Sequence, residues 1–380
     1  MSTSIRYQQI TEGSTVFFAP EQKNKDKGPG KKQGLPFYNP AMELNRDFSI
    51  VVVQWLLSTG QRKHFSLLDG LAATGVRGLR FSNELSGSFD VIINDWSEES
   101  FFVMQKNVKE KSLKNIRCEN QNLNSLLLEE KFDYIDVDPF GSPVSFVDAA
   151  MKSIRHQGVL AVSATDTAGL CGVYPKVCLR RYAAHPLHGP IMHEVGLRIL
   201  LGFVAREAAK HEVGIQPILS YKTDHYMRLY VQIHRNIPSA NKTAKRIQPI
   251  SKKDVYPFKD EPGFIGPLWT GSLHDKKIIK MLKGIGERKT VGTKKKMMKL
   301  FSLFEEESEA PLFYYTTNEL GSLLRCSPPK LEELWETFHQ HDLPIFRTQF
   351  DPTGFKTPAS FDEVKTLFVK SCKNSEWNYV

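Results

Sequence analysis

The segment DPFG, residues 138–141, contains the side chains best suited to chemistry in this sequence. An exocyclic amine on a nucleic-acid base is a weak nucleophile, because its lone pair is delocalised into the ring. Carboxylate oxygens of Asp138 and the carbonyl of Pro139 can accept hydrogen bonds from such an amine and stabilise its developing positive charge. Phe140 adds a ring that can hold the base. The motif predicts group transfer to an exocyclic amine; the alternative is that Asp138 only ends a strand and Phe140 belongs to the core.

The segment LDGLAATGVRG, residues 68–78, has the composition of a tight turn between a strand and a helix. Its glycines have the spacing of a P-loop, but Val76 and Arg77 replace the lysine and the hydroxyl residue that bind phosphates. Ala72 stands where a dinucleotide-binding turn has its second glycine. S-adenosylmethionine carries no phosphate and tolerates this alanine, and the strand-ending Asp69 suits it as well. The turn therefore favours that cofactor, with a purely structural turn as the alternative.

Polar residues also follow the next two strand-like segments. Asp95 closes FDVIIND, where an acidic residue in a doubly wound sheet reaches ribose hydroxyls. NAD enzymes share that feature, so Asp95 does not discriminate between cofactors. In ENQNLN, residues 119–124, a polar side chain beside a free backbone N–H can bind an adenine edge. An ordinary Asn-rich turn explains the same residues.

The framework for these residues is predicted by short apolar runs that alternate with helical patterns over residues 64–166. Such alternation indicates an α/β fold, with a parallel sheet covered by helices on both faces. Two later strand-like segments, PILSYKTD and YMRLYVQIHR, predict an antiparallel hairpin at the sheet edge. The hairpin would complete a seven-stranded, mostly parallel sheet.

The length of 380 residues is sufficient for two domains. Residues 21–34 are polar, basic and Gly-rich, which predicts a mobile loop. The chain becomes polar and basic again at residues 236–262, where we place a linker. We therefore predict a first domain over residues 1–235 and a smaller α+β domain over residues 263–380.

Composition narrows the class of protein. A net charge of +9 favours a polyanionic partner, because lysine and arginine displace counterions from phosphates. The sequence lacks an apolar run long enough to span a bilayer and lacks the apolar core of a signal peptide, so we expect a cytoplasmic protein, or a nuclear one if the cell has a nucleus, without a membrane partner. The five cysteines form no C-x-x-C pair, and we predict no metal site.

The DPFGSP segment occurs together with several other motifs, and the combination closely resembles the tRNA guanine-26 N2-dimethyltransferase family. The further motifs are FYNP (37–40), MELNRD (42–47), DGLAATGVRG (69–78), GPLWTG (266–271) and FDPTGFKT (350–357). The resemblance extends over nearly the whole chain. It implies a class I Rossmann-like S-adenosylmethionine methyltransferase domain followed by a tRNA-recognition domain. The implied reaction places one or two methyl groups on N2 of guanine 26, with tRNA as the partner and no obligatory protein partner.

The resemblance also implies roles for individual residues. Asp138 is the expected catalytic acceptor, assisted by Pro139, while Phe37 and Phe140 border a flipped guanine, which must leave its stack to meet the methyl group. Arg46 is expected to bind the cofactor carboxylate, for which a guanidinium is a natural partner. The other expected cofactor contacts are Arg77, Asp95, Asn122 and Leu123.

Two departures from the family pattern qualify this resemblance. Asn122 and Leu123 replace an Asp-Ala pair at the adenine, although the amide oxygen of Asn122 can still accept from the adenine amine. Cysteine pairs that many members carry in the second domain are missing here. The competing hypotheses are a DNA amino-methyltransferase and a non-catalytic RNA-binding protein or tRNA chaperone on a methyltransferase fold. The presence of Arg46, Asp95 and Asp138 argues against a pure binder.

Overall fold

The computed structural model describes residues 6–21, 36–223, 225–255 and 262–372. The predicted mobile loop at 21–34 therefore lies, apart from Glu21, outside the described residues. The strands within the described part are β1 (Tyr7–Glu12), β2 (Thr15–Pro20), β3 (Phe65–Asp69), β4 (Phe89–Asn94), β5 (Ile116–Glu119), β6 (Phe132–Val137), β7 (Ile154–Ala164), β8 (Gly214–Thr223), β9 (Tyr226–His234), β10 (Ile247–Ser251), β11 (Phe264–Trp269), β12 (Tyr315–Thr316), β13 (Phe346–Arg347) and β14 (Gly354–Lys356).

The α-helices alternate with the strands in the first half of the chain and dominate the second. They are α1 (Glu43–Thr59), α2 (Val76–Glu84), α3 (Glu98–Lys111), α4 (Leu123–Glu129), α5 (Val144–Ser153), α6 (Thr167–Leu170), α7 (Pro175–Tyr182), α8 (Met192–Ala209), α9 (Ile237–Lys245), α10 (Lys252–Val255), α11 (Lys276–Arg288), α12 (Lys294–Glu307), α13 (Thr317–Leu324), α14 (Leu331–His339) and α15 (Phe361–Ser371). Residues Pro40–Met42 form a 3-10 turn ahead of α1.

A seven-stranded sheet in the order β5-β4-β3-β6-β7-β9-β8 forms the centre of the molecule. The first five strands in this order are parallel to one another. Strand β9 pairs antiparallel with both β7 and β8. The predicted α/β class and the predicted hairpin at the sheet edge are confirmed.

Apolar side chains alternate between the two faces of this sheet, as a pleated strand requires. Leu67 and Tyr134 belong to a buried cluster that α1, α11 and α12 cover. Leu68 and Ile135 belong to a second cluster on the opposite face, which α5 and α8 cover. Helices on both faces explain why all six residues of β6 are buried.

The segment assigned to a linker, residues 236–262, contains α9, β10 and α10 in its described part. Strand β10 pairs antiparallel with β11, and Asn236 caps α9 by accepting a hydrogen bond from the backbone N–H of Ser239 at 2.9 Å. The polar composition reflects a helix whose lysines Lys242 and Lys245 are exposed. The predicted domain limits themselves stay a prediction.

The C-terminal part of the chain has a buried cluster of its own around the sheet β12-β14-β13. Its members include Leu334, Phe338, Phe355 and Phe368. By contrast, Leu268 and Trp269 of β11 belong to one of the two clusters that cover the large sheet. Apolar residues of α11 and α12 belong to the other. Residues 264–307 therefore pack against the large sheet. The separate cluster begins near residue 315, and we call residues 315–372 the C-terminal unit.

A buried ion cluster joins this C-terminal unit to the rest of the protein. Lys356, which is 1% exposed, donates to Oε1 of Glu194 in α8 at 2.8 Å. Its Nζ also lies 3.0 Å from Oε1 of Glu307 at the end of α12. Both carboxylates are buried, so the lysine compensates two charges that have left water.

Candidate active site

Three acidic side chains follow neighbouring strands of the large sheet at its carboxyl edge. Asp69 ends β3, Asp95 follows β4 and Asp138 follows β6. Because these strands are adjacent and parallel, their carboxyl ends meet. Ligands of open α/β sheets bind in the crevice at this edge. The structure thus brings the predicted catalytic residue to the same edge as a predicted cofactor residue.

A buried guanidinium holds the carboxylate of Asp138. Nη2 of Arg77 donates to Oδ2 of Asp138, while Nη1 of Arg77 donates to Oδ1 of Asn45 at 2.9 Å and to Oγ of Ser49 at 2.7 Å. The Asp138 side chain is 15% exposed and that of Arg77 is 6% exposed. Among the described residues, Oδ1 of Asp138 has no hydrogen-bond partner. One oxygen is therefore fixed by the protein, and the other is available to a ligand.

A second buried ion pair supports this arrangement from within the sheet. Arg228 of β9 donates to Asp136 at 3.0 Å and 2.5 Å, using both carboxylate oxygens. The hydroxyl of Tyr134 donates to the same aspartate at 2.5 Å. Burial alone would raise the pKa of Asp136, but the positive charges of Arg228 and Arg77 hold that pKa below its ordinary value. Asp136 is therefore a fully buried acid that is held within the sheet by Arg228.

Two phenylalanine rings lie together at the loop that follows β6. Phe37 and Phe140 meet edge to face, with ring centroids 5.7 Å apart and planes at 62°. Phe140 is 56% exposed, whereas Pro139 beside it is buried. The loop after β6 is also anchored to the residue that follows β7, because Gly141 N–H donates to Oγ1 of Thr165 at 2.6 Å. An exposed ring on an anchored loop is suited to holding a planar base.

The turn after β3 approaches its neighbours closely. Ala73 and Gly75 have positive φ values of 50° and 79°. A Cβ atom on Gly70 would lie 2.9 Å from both the carbonyl oxygen of Asp136 and Cδ1 of Leu123. A side chain at Gly70 would therefore displace the next strand end and the start of α4. The turn brings backbone atoms near the carboxyl edge, as the sequence predicts for a cofactor-binding turn.

Asp95 organises the backbone at the end of β4. Its Oδ2 accepts from the N–H of Ala73 at 2.9 Å, and its Oδ1 accepts from the N–H of Ser97 at 3.0 Å. Each carboxylate oxygen can accept a further hydrogen bond. The side chain thus links the glycine-containing turn to the start of α3 at the carboxyl edge of the sheet.

Asn122 and Leu123 form the start of α4 on the far side of this crevice. Oδ1 of Asn122 accepts from the N–H of Asn124 at 2.9 Å, which makes Asn122 the N-cap of the helix. Leu123 is 2% exposed and touches Gly70. The amide oxygen that the sequence assigns to adenine recognition therefore already has one donor, and a second lone pair is available.

Arg46 is paired with a carboxylate of the protein itself. Its Nε and Nη2 each donate to Glu12 at 2.6 Å, and Nη2 also donates to the carbonyl of Asn39 at 3.0 Å. The hydroxyl of Tyr38 donates to Glu12 at 2.9 Å. Burial opposes the ionised form of Glu12, but Arg46 and Arg80 lower its pKa to about 2. Arg46 thereby fixes the segment that carries Phe37, and its role toward the cofactor stays a prediction.

Several residues of this site were not identified from the sequence. Arg228 could have been identified from the sequence. It lies between Tyr226 and Tyr230 on one face of a buried strand, and a charged residue at such a position needs a buried partner. Asn45 lies within the MELNRD motif but has no local signal for its contact with Arg77. Glu12 lies outside every recognised motif, so its pairing with Arg46 is visible only in the structure.

The residues that the structure describes contain no group of three or more His, Cys, Asp or Glu side chains that could hold a metal ion. No helix in the described ranges is long and apolar enough to cross a bilayer.

Comparisons with known proteins agree over nearly the full length. The family described as N2,N2-dimethylguanosine tRNA methyltransferase matches residues 13–368. The tRNA (guanine(26)-N(2))-dimethyltransferase of Pyrococcus horikoshii is 35% identical over 390 aligned residues, which cover 96% of this chain and 98% of that protein. The protein of the same name from Methanocaldococcus jannaschii is 33% identical over 368 residues, covering 93% of this chain and 96% of its own length.

A solved structure gives the same result for the fold. The complex of Trm1 from Pyrococcus horikoshii with S-adenosyl-L-methionine matches with a TM-score of 0.83 at 33% sequence identity. The match covers 97% of this chain and 100% of that chain. Both the large sheet and the C-terminal unit therefore have counterparts in a protein that binds this cofactor.

Proposed function

This chain belongs to the N2,N2-dimethylguanosine tRNA methyltransferase family, and we propose that it transfers one or two methyl groups from S-adenosylmethionine to N2 of guanine 26 in tRNA. Relatives that carry this activity in their names span the same length of chain. Their agreement supports the tRNA enzyme over a DNA amino-methyltransferase. The ordered carboxylate of Asp138 supports an enzyme over a pure RNA binder.

The single observation that carries the chemical proposal is the position of Asp138. Its Oδ2 is held by Arg77, and its Oδ1 can accept from an N–H group of the guanine amine. The carbonyl of Pro139 supplies a second acceptor. Together they localise the amine lone pair and stabilise the positive charge that forms on nitrogen. After transfer, one amine proton passes to Oδ1 of Asp138 and from there to solvent, which leaves neutral N2-methylguanosine, and the remaining N–H allows a second round.

Phe37 and Phe140 hold the target base. Guanine must leave the stack before its amine can be reached, and an aromatic clamp compensates part of the lost stacking free energy. The pair is preorganised, because Arg46 anchors the Phe37 segment and Thr165 anchors the Phe140 loop. Most of the rate enhancement then comes from alignment of the amine with the methyl group.

The residues around the crevice fit S-adenosylmethionine, which supplies an electrophilic methyl group on a sulfonium when bound. Asp95 offers carboxylate oxygens to ribose hydroxyls, and Asn122 with the N–H of Leu123 offers an acceptor and a donor to the adenine edge. Arg46 is proposed to bind the carboxylate of the methionine portion. Arg77 is proposed both to contact the cofactor and to position Asp138, since its guanidinium lies between the first turn of α1 and the loop that carries Asp138.

Residues 263–380 are the predicted tRNA-recognition domain. Within it, we assign tRNA recognition to the part that has its own buried cluster, which begins near residue 315. The protein is proposed to act in the cytoplasm, where tRNA is its partner, without an obligatory protein partner.

The substrate assignment is tested with two tRNA transcripts that differ only at position 26. The protein is incubated with labelled S-adenosylmethionine and a transcript carrying G26 or A26, and the RNA is digested to nucleosides. We expect N2-methyl- and N2,N2-dimethylguanosine from the G26 transcript and no label in the A26 transcript. Equal labelling of both transcripts, or label in adenosine or cytidine, would refute the assignment.

A further inference from the structure

The helix α7 and the segment before it are fixed to the catalytic loop. Thr165 N–H donates to the carbonyl of Gly141 at 2.9 Å, in addition to accepting from Gly141 N–H. The hydroxyl of Tyr182 lies 2.9 Å from Oγ of Ser142 and donates to Asp166 at 2.8 Å. These contacts join both ends of residues 165–182 to the loop that carries Phe140. The surface of this segment therefore borders the proposed catalytic crevice.

Buried side chains on one side of this segment anchor it to the described part of the protein. Cys178 and Tyr182 of α7 are fully buried, and the Tyr182 ring meets Phe203 of α8 edge to face at 5.7 Å. On the opposite side, Val173 is 50% exposed, Tyr174 is 60% exposed and Leu179 is 46% exposed. Neighbouring exposed apolar side chains, in contrast to scattered single ones, are typical of an interaction site.

Positive charge accompanies these exposed rings. Lys176 and Arg180 are exposed, and their spacing of four places them on the same face of α7. In the described part of the chain neither has a carboxylate partner. Arg181 next to them does have one, Asp166, at 2.9 Å. The face thus offers unneutralised basic groups beside an aromatic ring, which is the combination that binds single-stranded or splayed nucleic acid.

We propose that this face, formed by Tyr174, Lys176 and Arg180, binds the tRNA strand next to the flipped guanine. The proposal rests on the proposed function, since it takes tRNA as the ligand. Lys176 and Arg180 contact backbone phosphates, and the ring of Tyr174 stacks on a nucleotide adjacent to the one held by Phe140. Stacking on a neighbouring base stabilises the unstacked state that guanine flipping requires.

The charge contribution is tested with the double variant K176A/R180A against the matched double variant K242A/K245A. The control also removes two exposed positive charges, Lys242 and Lys245, from a short helix. However, α9 follows β9, which is antiparallel to β7 and therefore ends at the amino edge of the parallel strands, away from the proposed site. We expect K176A/R180A to raise the KM for tRNA about tenfold at 0.15 M salt. In a plot of the logarithm of the tRNA binding constant against the logarithm of the salt concentration, the slope should become shallower by about two, roughly one for each lost phosphate contact. The control should match the wild type.

The ring contribution is tested at Tyr174. Tyr174→Ala is expected to weaken tRNA binding about tenfold, whereas Tyr174→Phe keeps a stacking face and stays near the wild type. The thermal unfolding midpoint and the dissociation constant for S-adenosylmethionine should not change in any of these variants, because the altered side chains are exposed. The charge-reversed variant K176E/R180E should bind tRNA still more weakly.

The proposal is overturned if K176A/R180A and K242A/K245A have the same KM for tRNA and the same salt dependence. A wild-type protein that makes no methylguanosine would refute the proposed function instead. In that case, tRNA dissociation constants from filter binding still decide whether this face contacts RNA.

Discussion

The rings of Phe37 and Phe140 lie edge to face with centroids 5.7 Å apart, although one precedes α1 and the other follows β6. Each ring is positioned by a separate anchor. Arg46 donates to the carbonyl of Asn39 near Phe37 at 3.0 Å, and Thr165 accepts from Gly141 next to Phe140 at 2.6 Å. The pair thus forms a preorganised aromatic edge beside the carboxylate of Asp138.

Removal of the exposed ring should impair catalysis and leave stability unchanged. Phe140→Ala is expected to lower kcat/KM for tRNA roughly tenfold to a hundredfold, because the flipped base loses a stacking partner. Because Phe140 is 56% exposed, the free energy of unfolding should change by less than about 1 kcal/mol. Ile237→Ala is the control, since Ile237 is also 56% exposed but starts α9 at the other edge of the sheet. Equal kinetics for both variants would contradict the clamp.

Arg77 should be essential for stability, because Asp69, Asp136 and Asp138 all lie within 4 Å of its guanidinium. Arg77→Met leaves buried carboxylates without this charge and should lower the free energy of unfolding by about 3 to 5 kcal/mol in urea titrations. Arg117→Met removes two ion pairs, with Glu119 and Glu130, but the arginine side chain is 52% exposed, so the loss should be less than about 1 kcal/mol. A loss from Arg77→Met no larger than that from Arg117→Met would show that the carboxylates do not depend on this guanidinium.

The pH dependence of stability should contain a contribution from Asp69. Burial raises the pKa of Asp69 to about 7, while an unfolded aspartate titrates near about 4. Between these values the folded protein retains a proton that the unfolded chain has lost, so stability falls as pH rises through this window. Asp69→Asn carries no such proton. From pH 5 to pH 8 the wild type should lose roughly 2 to 3 kcal/mol more than Asp69→Asn.

This comparison is made by urea unfolding of both proteins at each pH. Other titrating groups are common to the two proteins and cancel in the difference. Parallel pH profiles for the wild type and Asp69→Asn would mean that Asp69 is ionised in the folded protein throughout this range.

Lys356 should hold the C-terminal unit in place. Lys356→Met leaves Glu194 and Glu307 without their shared lysine and should destabilise the docked unit by about 3 to 5 kcal/mol. Limited proteolysis should then cleave faster between α12 and β12. The control is Lys365→Met, which removes a surface pair with Asp362, a residue whose side chain is 89% exposed. If the two variants are cleaved at the same rate, the buried cluster does not hold the unit.

The positions of residues that directly follow strands could be predicted from the sequence. Short apolar runs located β3, β4 and β6, and the position of a residue after such a run determines that it lies at the carboxyl edge. Asp95 and Asp138 could therefore be predicted together. The antiparallel hairpin β8–β9 could also be predicted, because the two strands are joined by a short turn.

Pairings between distant segments could not be predicted in the same way. Lys356 and Glu194 are 162 positions apart, and nothing local distinguishes Glu194 or Glu12 among the 42 acidic residues of the chain. The polar composition of residues 236–262, which we assigned to a linker, also gave no indication of α9 and β10, because a surface helix exposes its lysines while it still forms regular structure. Such elements are determined by the surfaces against which they pack.

The central claim, that Asp138 accepts hydrogen bonds from the guanine amine, is tested most directly by Asp138→Asn. The variant is incubated with a G26 transcript and labelled S-adenosylmethionine, and methylguanosines are quantified after digestion. Asp90→Asn, which alters a surface aspartate near the start of β4, is the control. We expect methyl transfer by Asp138→Asn to fall roughly a hundredfold to a thousandfold, with cofactor binding measured by calorimetry retained. Transfer within about threefold of the Asp90→Asn control would contradict the assignment of Asp138 as the catalytic acceptor.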